Sequence, residues 1–191
     1  MKKLIYLFIF ALIASTAFVS CDDDDDSSPF KTITLGAQSN EDIDGFYSFN
    51  NEKTYSMEKA AQNQATIDLL CFYEFTDSHQ NYTTISSPGA NITGIFTGDN
   101  SPENWTVTDT TYFYELDPTV FTVTQFDALT GNDAIIETLF NADEAKRKAK
   151  DLQVDDMYAF QTEDNYYGIF KVVSVVQGET GYVEIKYILN K

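Results

Sequence analysis

The last forty residues constrain the fold more than any other stretch. Met157 to Thr162, the polar turn Glu163-Asp164-Asn165 and the run Tyr166 to Val176 read as a hairpin with a three-residue loop. Gln177-Gly178-Glu179-Thr180-Gly181 then turns the chain into Tyr182 to Leu189. In that last run Val183, Ile185, Tyr187 and Leu189 share one face, while Tyr182, Glu184 and Lys186 share the other. The middle run is apolar on both sides apart from Lys171 and Ser174, so it is expected at the centre of a three-strand meander covered by a helix.

Upstream the same two periods recur. Lys31-Thr32-Ile33-Thr34-Leu35 alternates as a first strand, and Phe46-Tyr47-Ser48-Phe49 is a short second one. Ser56 can cap a two-turn helix over Met57 to Gln64, which would need packing to hold it. Ile67, Leu69, Cys71, Tyr73 and Phe75 line one face of a strand whose other face carries Asp68 and Glu74. Thr76 to Trp105 reads as a long exposed excursion holding the chain's one histidine, His79, and one tryptophan, Trp105. Strand chemistry resumes at Thr106-Val107-Thr108 and at Thr111 to Leu116, and again at Val120 to Val123. From Asp133 to Lys150 the period becomes helical, with Ile135, Ile136, Leu139 and Phe140 on one stripe. The expected architecture is therefore a single α+β domain over residues 30–191, an antiparallel twisted sheet or partly open barrel with the helical region packed on it.

The first thirty residues have another character. Lys2 and Lys3 precede an apolar run, Leu4 to Val19, that is short for a membrane span of roughly 20 residues and ends at Ser20-Cys21. This junction resembles the lipobox of bacterial lipoproteins, with Phe18 where leucine is usual, which implies a signal peptide over 1–20 and acylation of Cys21. Asp22, Asp23, Asp24, Asp25 and Asp26 resemble the acidic export tag of Bacteroidota surface lipoproteins. Residues 21–29 would then be a charged tether, and the acyl chains would hold the protein on the outer membrane, facing the cell exterior.

Net charge is −18, and loss of Lys2 and Lys3 with the signal takes it to −20. Phosphate binding needs a basic stripe, so nucleic acid is not an expected partner. With Cys21 acylated, Cys71 has no disulfide partner, and its apolar run suits a buried small hydrophobe. No Gly-x-Ser-x-Gly elbow, His-Glu-x-x-His or twelve-residue calcium loop is present, so no catalytic residue, metal or cofactor is assigned. Asp68 and Glu74 are about 20 Å apart along a strand, too far to act as one acid–base pair.

Two readings stay open at the aromatic and the basic candidates. Trp105, Tyr112 and Tyr114 can form a stacking platform for a glycan or simply fill the core. Lys146, Arg147, Lys148 and Lys150 can complement a helix C-terminus or dock an acidic glycan or partner. Asp109-Thr110-Thr111 is similar to the O-glycosylation site of exported Bacteroidota proteins, with Thr110 as acceptor.

Several segments extend the likeness: Ala65 to Leu69, Ser86-Ser87-Pro88, Trp105, Phe126 to Leu129, Val154 to Thr162 and Tyr167 to Val172. Together they resemble small outer-surface lipoproteins of Bacteroidota, which implies an α+β domain and transfers no catalytic role. The expected function is a non-enzymatic binding or display module, accessory to glycan or nutrient uptake, with a glycan or surface protein as partner. The alternatives are an extracellular glycan- or peptide-acting hydrolase and a structural subunit of a surface assembly.

Overall fold

The computed structural model describes residues 28–76 and 79–190, the side chains of 76–81 excepted. Cys21 and Asp22 to Asp26 lie outside the described residues. In chain order the first elements are β1 (Lys31–Gly36), β2 (Phe46–Ser48), β3 (Lys53–Tyr55), α1 (Met57–Ala61), β4 (Leu69–Thr76) and β5 (His79–Ser86). There follow β6 (Tyr112–Glu115), α2 (Val123–Asp127), α3 (Ile135–Thr138), β7 (Lys148–Ala149), β8 (Met157–Gln161), β9 (Tyr167–Val176) and β10 (Tyr182–Asn190).

The α+β class and the antiparallel pairing are as the sequence leads one to expect, but the strands divide between two five-stranded sheets. One has the order β1-β10-β9-β8-β6 and contains the meander; the other has the order β3-β2-β4-β5-β7. Leu35, Phe113, Phe160, Phe170 and Ile185 of the first sheet meet Tyr47, Leu69, Cys71, Ile85 and Ala149 of the second in one buried cluster. The main core is thus the space between the sheets.

Each outer face is covered as well. Phe121, Phe126, Leu129 and Ile136, from α2, α3 and their flanks, pack on Met157, Ala159, Ile169 and Ile188 of the meander. The segment has little helix to offer. A capping box between Thr122 and Gln125 starts α2, and α3 ends at Thr138, well short of the Lys150 limit expected for the helical region. Two ammonium groups pin α2 in place: Lys171 and Lys186 reach Asp127 at 3.2 and 3.3 Å, with Lys186 4.2 Å from the Phe30 ring centroid. On the other sheet, Ala60 of α1 joins Ile92, Phe96 and Trp105 over Phe46, Leu70 and Phe72.

β9 keeps both faces apolar by a bulge. Glu184 pairs with Ser174 and Ile185 with Val172, so Val173 is the extra residue and is 39 % exposed. The slip returns Val175 to the core face shared by Phe170 and Val172. At the β1 edge the sheets are joined where Gly36 and Gly45 meet: the Gly36 N–H donates to Asp44 O at 3.1 Å, the Cys71 N–H to Gly45 O at 2.9 Å. A Cβ on Gly45 would stand 2.6 Å from the Gly36 carbonyl oxygen, which explains the glycine there.

Candidate binding cleft

At the opposite edge the two sheets are joined by the basic segment. Lys146 exchanges two backbone hydrogen bonds with Phe113 of β6, at 2.7 and 2.8 Å. Two and three residues on, Lys148 and Ala149 pair with Ser86 and Ile85 of β5. Arg147 lies at the bend between, its carbonyl accepting from the Ser87 N–H at 3.0 Å and its guanidinium donating to Gly89 O. Residues 146–149 therefore cross from one sheet to the other. The cations do not sit at a helix C-terminus, because the apolar three-and-four repeat ends at Phe140 and only single alanines, no further large apolar stripe, follow it before Leu152.

A cleft of about 1030 Å³ opens beside this crossing, with Tyr114, Glu115, Asp117, Lys146, Arg147 and Tyr158 among its lining residues. That volume is at the upper end of the range for small-ligand sites. Its charges are sorted along its length. β6 and the basic segment run antiparallel through the Phe113–Lys146 bridge, so Glu115 and Asp117 leave it on the side from which Asp143 and Glu144 arrive. Lys148 and Lys150 continue on the other side.

The cations are unequally paired. Lys150 is 2.9 Å from the carboxylate of Glu74. Lys148 lies 5.3 Å from the centroid of the Phe72 ring, where burial pulls its ammonium below the usual lysine range, against the opposing pull of Glu74. Among the described residues Lys146 has no ion-pair partner, and it is exposed. At the inner end the Tyr158 hydroxyl donates to Lys150 O at 3.4 Å, and burial, with Glu115 and Asp156 adding to it, keeps that phenol protonated well beyond the ordinary range.

The three aromatic candidates do not form one platform. Tyr112 and Tyr114 alternate with the buried Phe113 and so share a face of β6, the first exposed and the second half-buried. Trp105 belongs to the cluster on the outer face of the other sheet, 9 % exposed, with its indole N–H donating to Asn100 O at 3.0 Å. Thr110 is half-buried. Its N–H donates to Glu163 at 2.6 Å, and its hydroxyl lies where a Cβ on Gly89 would have to go. Next to it, burial, then the charges of Glu163 and Asp164, push the Asp109 carboxyl up to about 6. Among the described residues no group of three His, Cys, Asp or Glu is placed to hold a metal ion, and no helix is long and apolar enough to cross a membrane.

No protein-family model matches the chain, and no curated protein matches it. Among solved structures it is similar to a DUF4466 family protein from Parabacteroides merdae, with a TM-score of 0.54 at 14 % sequence identity. The match covers 86 % of this chain and 54 % of that one, so the chain spans about half the length of its structural neighbour. The likeness is one of fold. The neighbour comes from a Bacteroidota organism.

Proposed function

We propose that this chain is a lipid-anchored binding module of the outer-membrane surface, tethered through Cys21, exported by Asp22 to Asp26, and accessory to glycan or nutrient uptake. The observation that carries the binding half of this reading is the cleft between β6 and the basic segment, about 1030 Å³ with phenols and charges along its wall. Its position suits an anchored protein. The chain enters the fold beside β1, at one end of the meander sheet, and the cleft lies at β6, at the other end. Four inter-strand steps, roughly 19 Å, separate the two edges, so a tether at the first leaves the second open to solvent.

Two measurements test it. Cys21→Ser should leave unacylated precursor and remove the protein from the outer membrane; an unmodified mature chain found free in the periplasm would overturn the anchor. For the ligand, the acylated protein in detergent is applied to a glycan array alongside Ala145→Trp, which places an indole at a half-buried position of the cleft wall. Saccharide binding that the substitution abolishes is the expected result. Binding to nothing on the array, or binding indifferent to the substitution, removes the cleft from the account.

A further inference from the structure

We infer that the cleft takes an acidic saccharide, one with carboxylate or sulfate groups on some sugar residues and free hydroxyls on others, whose acid groups are met by Lys146 and Lys148. This rests on the binding reading above and adds the chemical class of the ligand.

The mature chain has ten basic residues, and four of them fall within residues 146–150. Among the described residues carboxylates hold Lys31 (Glu52), Lys150 (Glu74), and Lys171 and Lys186 (Asp127), while Lys53 and Lys59, each alone on the surface away from the cleft, have no ion pair. Lys146, Arg147 and Lys148 all line the cleft, and no ion pair holds any of them among the described residues. Arg147 is fixed by its bond to Gly89 O, which sets the bend and holds the two flanking lysines in place. Lys148 is partly desolvated against Phe72, a setting in which an added anion is worth more than in open water.

The other half of the cleft decides between kinds of anion. Glu115, Asp117, Asp143 and Glu144 would repel a uniformly charged surface such as an anionic bilayer, and the net charge of −20 would do so at longer range. Sugar hydroxyls, by contrast, donate to carboxylates, and sugar faces pack on phenol rings such as Tyr114 at the cleft wall. A saccharide with intermittent acid groups satisfies both ends. A peptide of acidic residues satisfies one.

Titration calorimetry of the acylated protein in detergent tests this with four probes: hyaluronan hexasaccharide, a chondroitin sulfate hexasaccharide, neutral maltohexaose and hexaglutamate. At least one of the two acidic saccharides should bind, with affinity falling steeply as salt is raised from about 0.05 to about 0.5 M. Lys146→Glu should weaken that binding about tenfold or more, whereas Lys146→Arg should keep it. Lys146 is exposed and, among the described residues, tied to the fold through its backbone alone, so an unchanged melting temperature separates a lost contact from a lost fold. Maltohexaose binding as tightly and without salt dependence would overturn the charge assignment while leaving a binding cleft. Hexaglutamate binding in place of the saccharides would overturn the ligand class. If none of the four binds although an array ligand is lost on Ala145→Trp, this inference alone falls.

Discussion

The phenolic oxygens of Tyr47 and Tyr187 lie 2.6 Å apart in the space between the sheets, one ring from each sheet, with Phe49 edge-on to both. Each hydroxyl is the other's partner in a buried setting. Removing one should therefore cost about 1–3 kcal/mol, most of it the desolvation of the oxygen left behind. Tyr47→Phe and Tyr187→Phe should each lower the urea midpoint, and the double variant should lose less than the two single losses combined. Strict additivity in that cycle would show that the bond contributes nothing.

The same pair sets an alkaline limit. Burial raises both phenols above the usual tyrosine value, and their mutual hydrogen bond raises Tyr187 while holding Tyr47 down somewhat. In the unfolded chain both ionise near pH 10, while in the folded chain they stay protonated to higher pH. Their contribution is intact below about pH 10 and is lost as pH rises beyond it. A spectrophotometric titration should show fewer phenols ionising at pH 10.5 in the native protein than in urea.

Asp109 has the opposite consequence from a stabilising carboxylate. Its value of about 6, raised by burial first and by Glu163 and Asp164 second, means that between about pH 4 and pH 6 the folded state holds a proton the unfolded state has released. The group therefore costs nothing below about pH 4 and reaches its full cost above about pH 6. Asp109→Asn should raise the melting temperature at pH 7.5 and leave it unchanged at pH 3.5. An equal shift at both pH values would point to packing and not to charge.

Gly168 faces Phe160 across the β8–β9 ladder, and the Phe160 ring lies over its bare Cα. A Cβ at 168 would overlap that ring and come within 2.7 Å of the Ile188 carbonyl oxygen. Gly168→Ala should cost about 1–3 kcal/mol in urea unfolding through forced repacking of Phe160, despite the better strand propensity of alanine.

Cys71 is fully buried in the inter-sheet core, and burial pushes its thiol far up. It should react with a thiol reagent at the rate of global unfolding. Labelling much faster than unfolding in native buffer would mean that the sheets part locally.

The sequence is easiest to read where one side-chain period holds for eight residues or more. The three meander strands appear within one residue or so of their expected limits, because Val183, Ile185 and Tyr187 alternate cleanly with Glu184 and Lys186. β1 and the Ser56-capped helix are also close to expectation, although the helix stops at Ala61. β5 is harder to see, since it falls inside the excursion expected from Thr76. Its buried residues include Thr83, Thr84 and Ser86, which hydropathy scores as surface; Thr83 is accommodated by hydrogen bonds to the Gln177 side chain at 2.8 and 2.9 Å. Asp68 is a second polar residue of this kind. Expected on a polar face, it is buried and accepts from the Phe49 N–H at 2.7 Å. The charged segment at 146–150 stands out in the sequence as a candidate for an acidic glycan, but its role as a strand crossing depends on Phe113 and Ile85, more than thirty and sixty residues away. Apart from Ala149, no apolar side chain in that segment announces it.

Because residues 146–149 are stitched to β6 at one end and to β5 at the other, neither layer can slide past its neighbour without first breaking the stitch. An occupant gripping Lys146 and Lys148 would clamp that seam from outside. Cargo held there would make the whole sandwich harder to pry apart, so a loaded molecule should withstand heat and proteases better than an empty one.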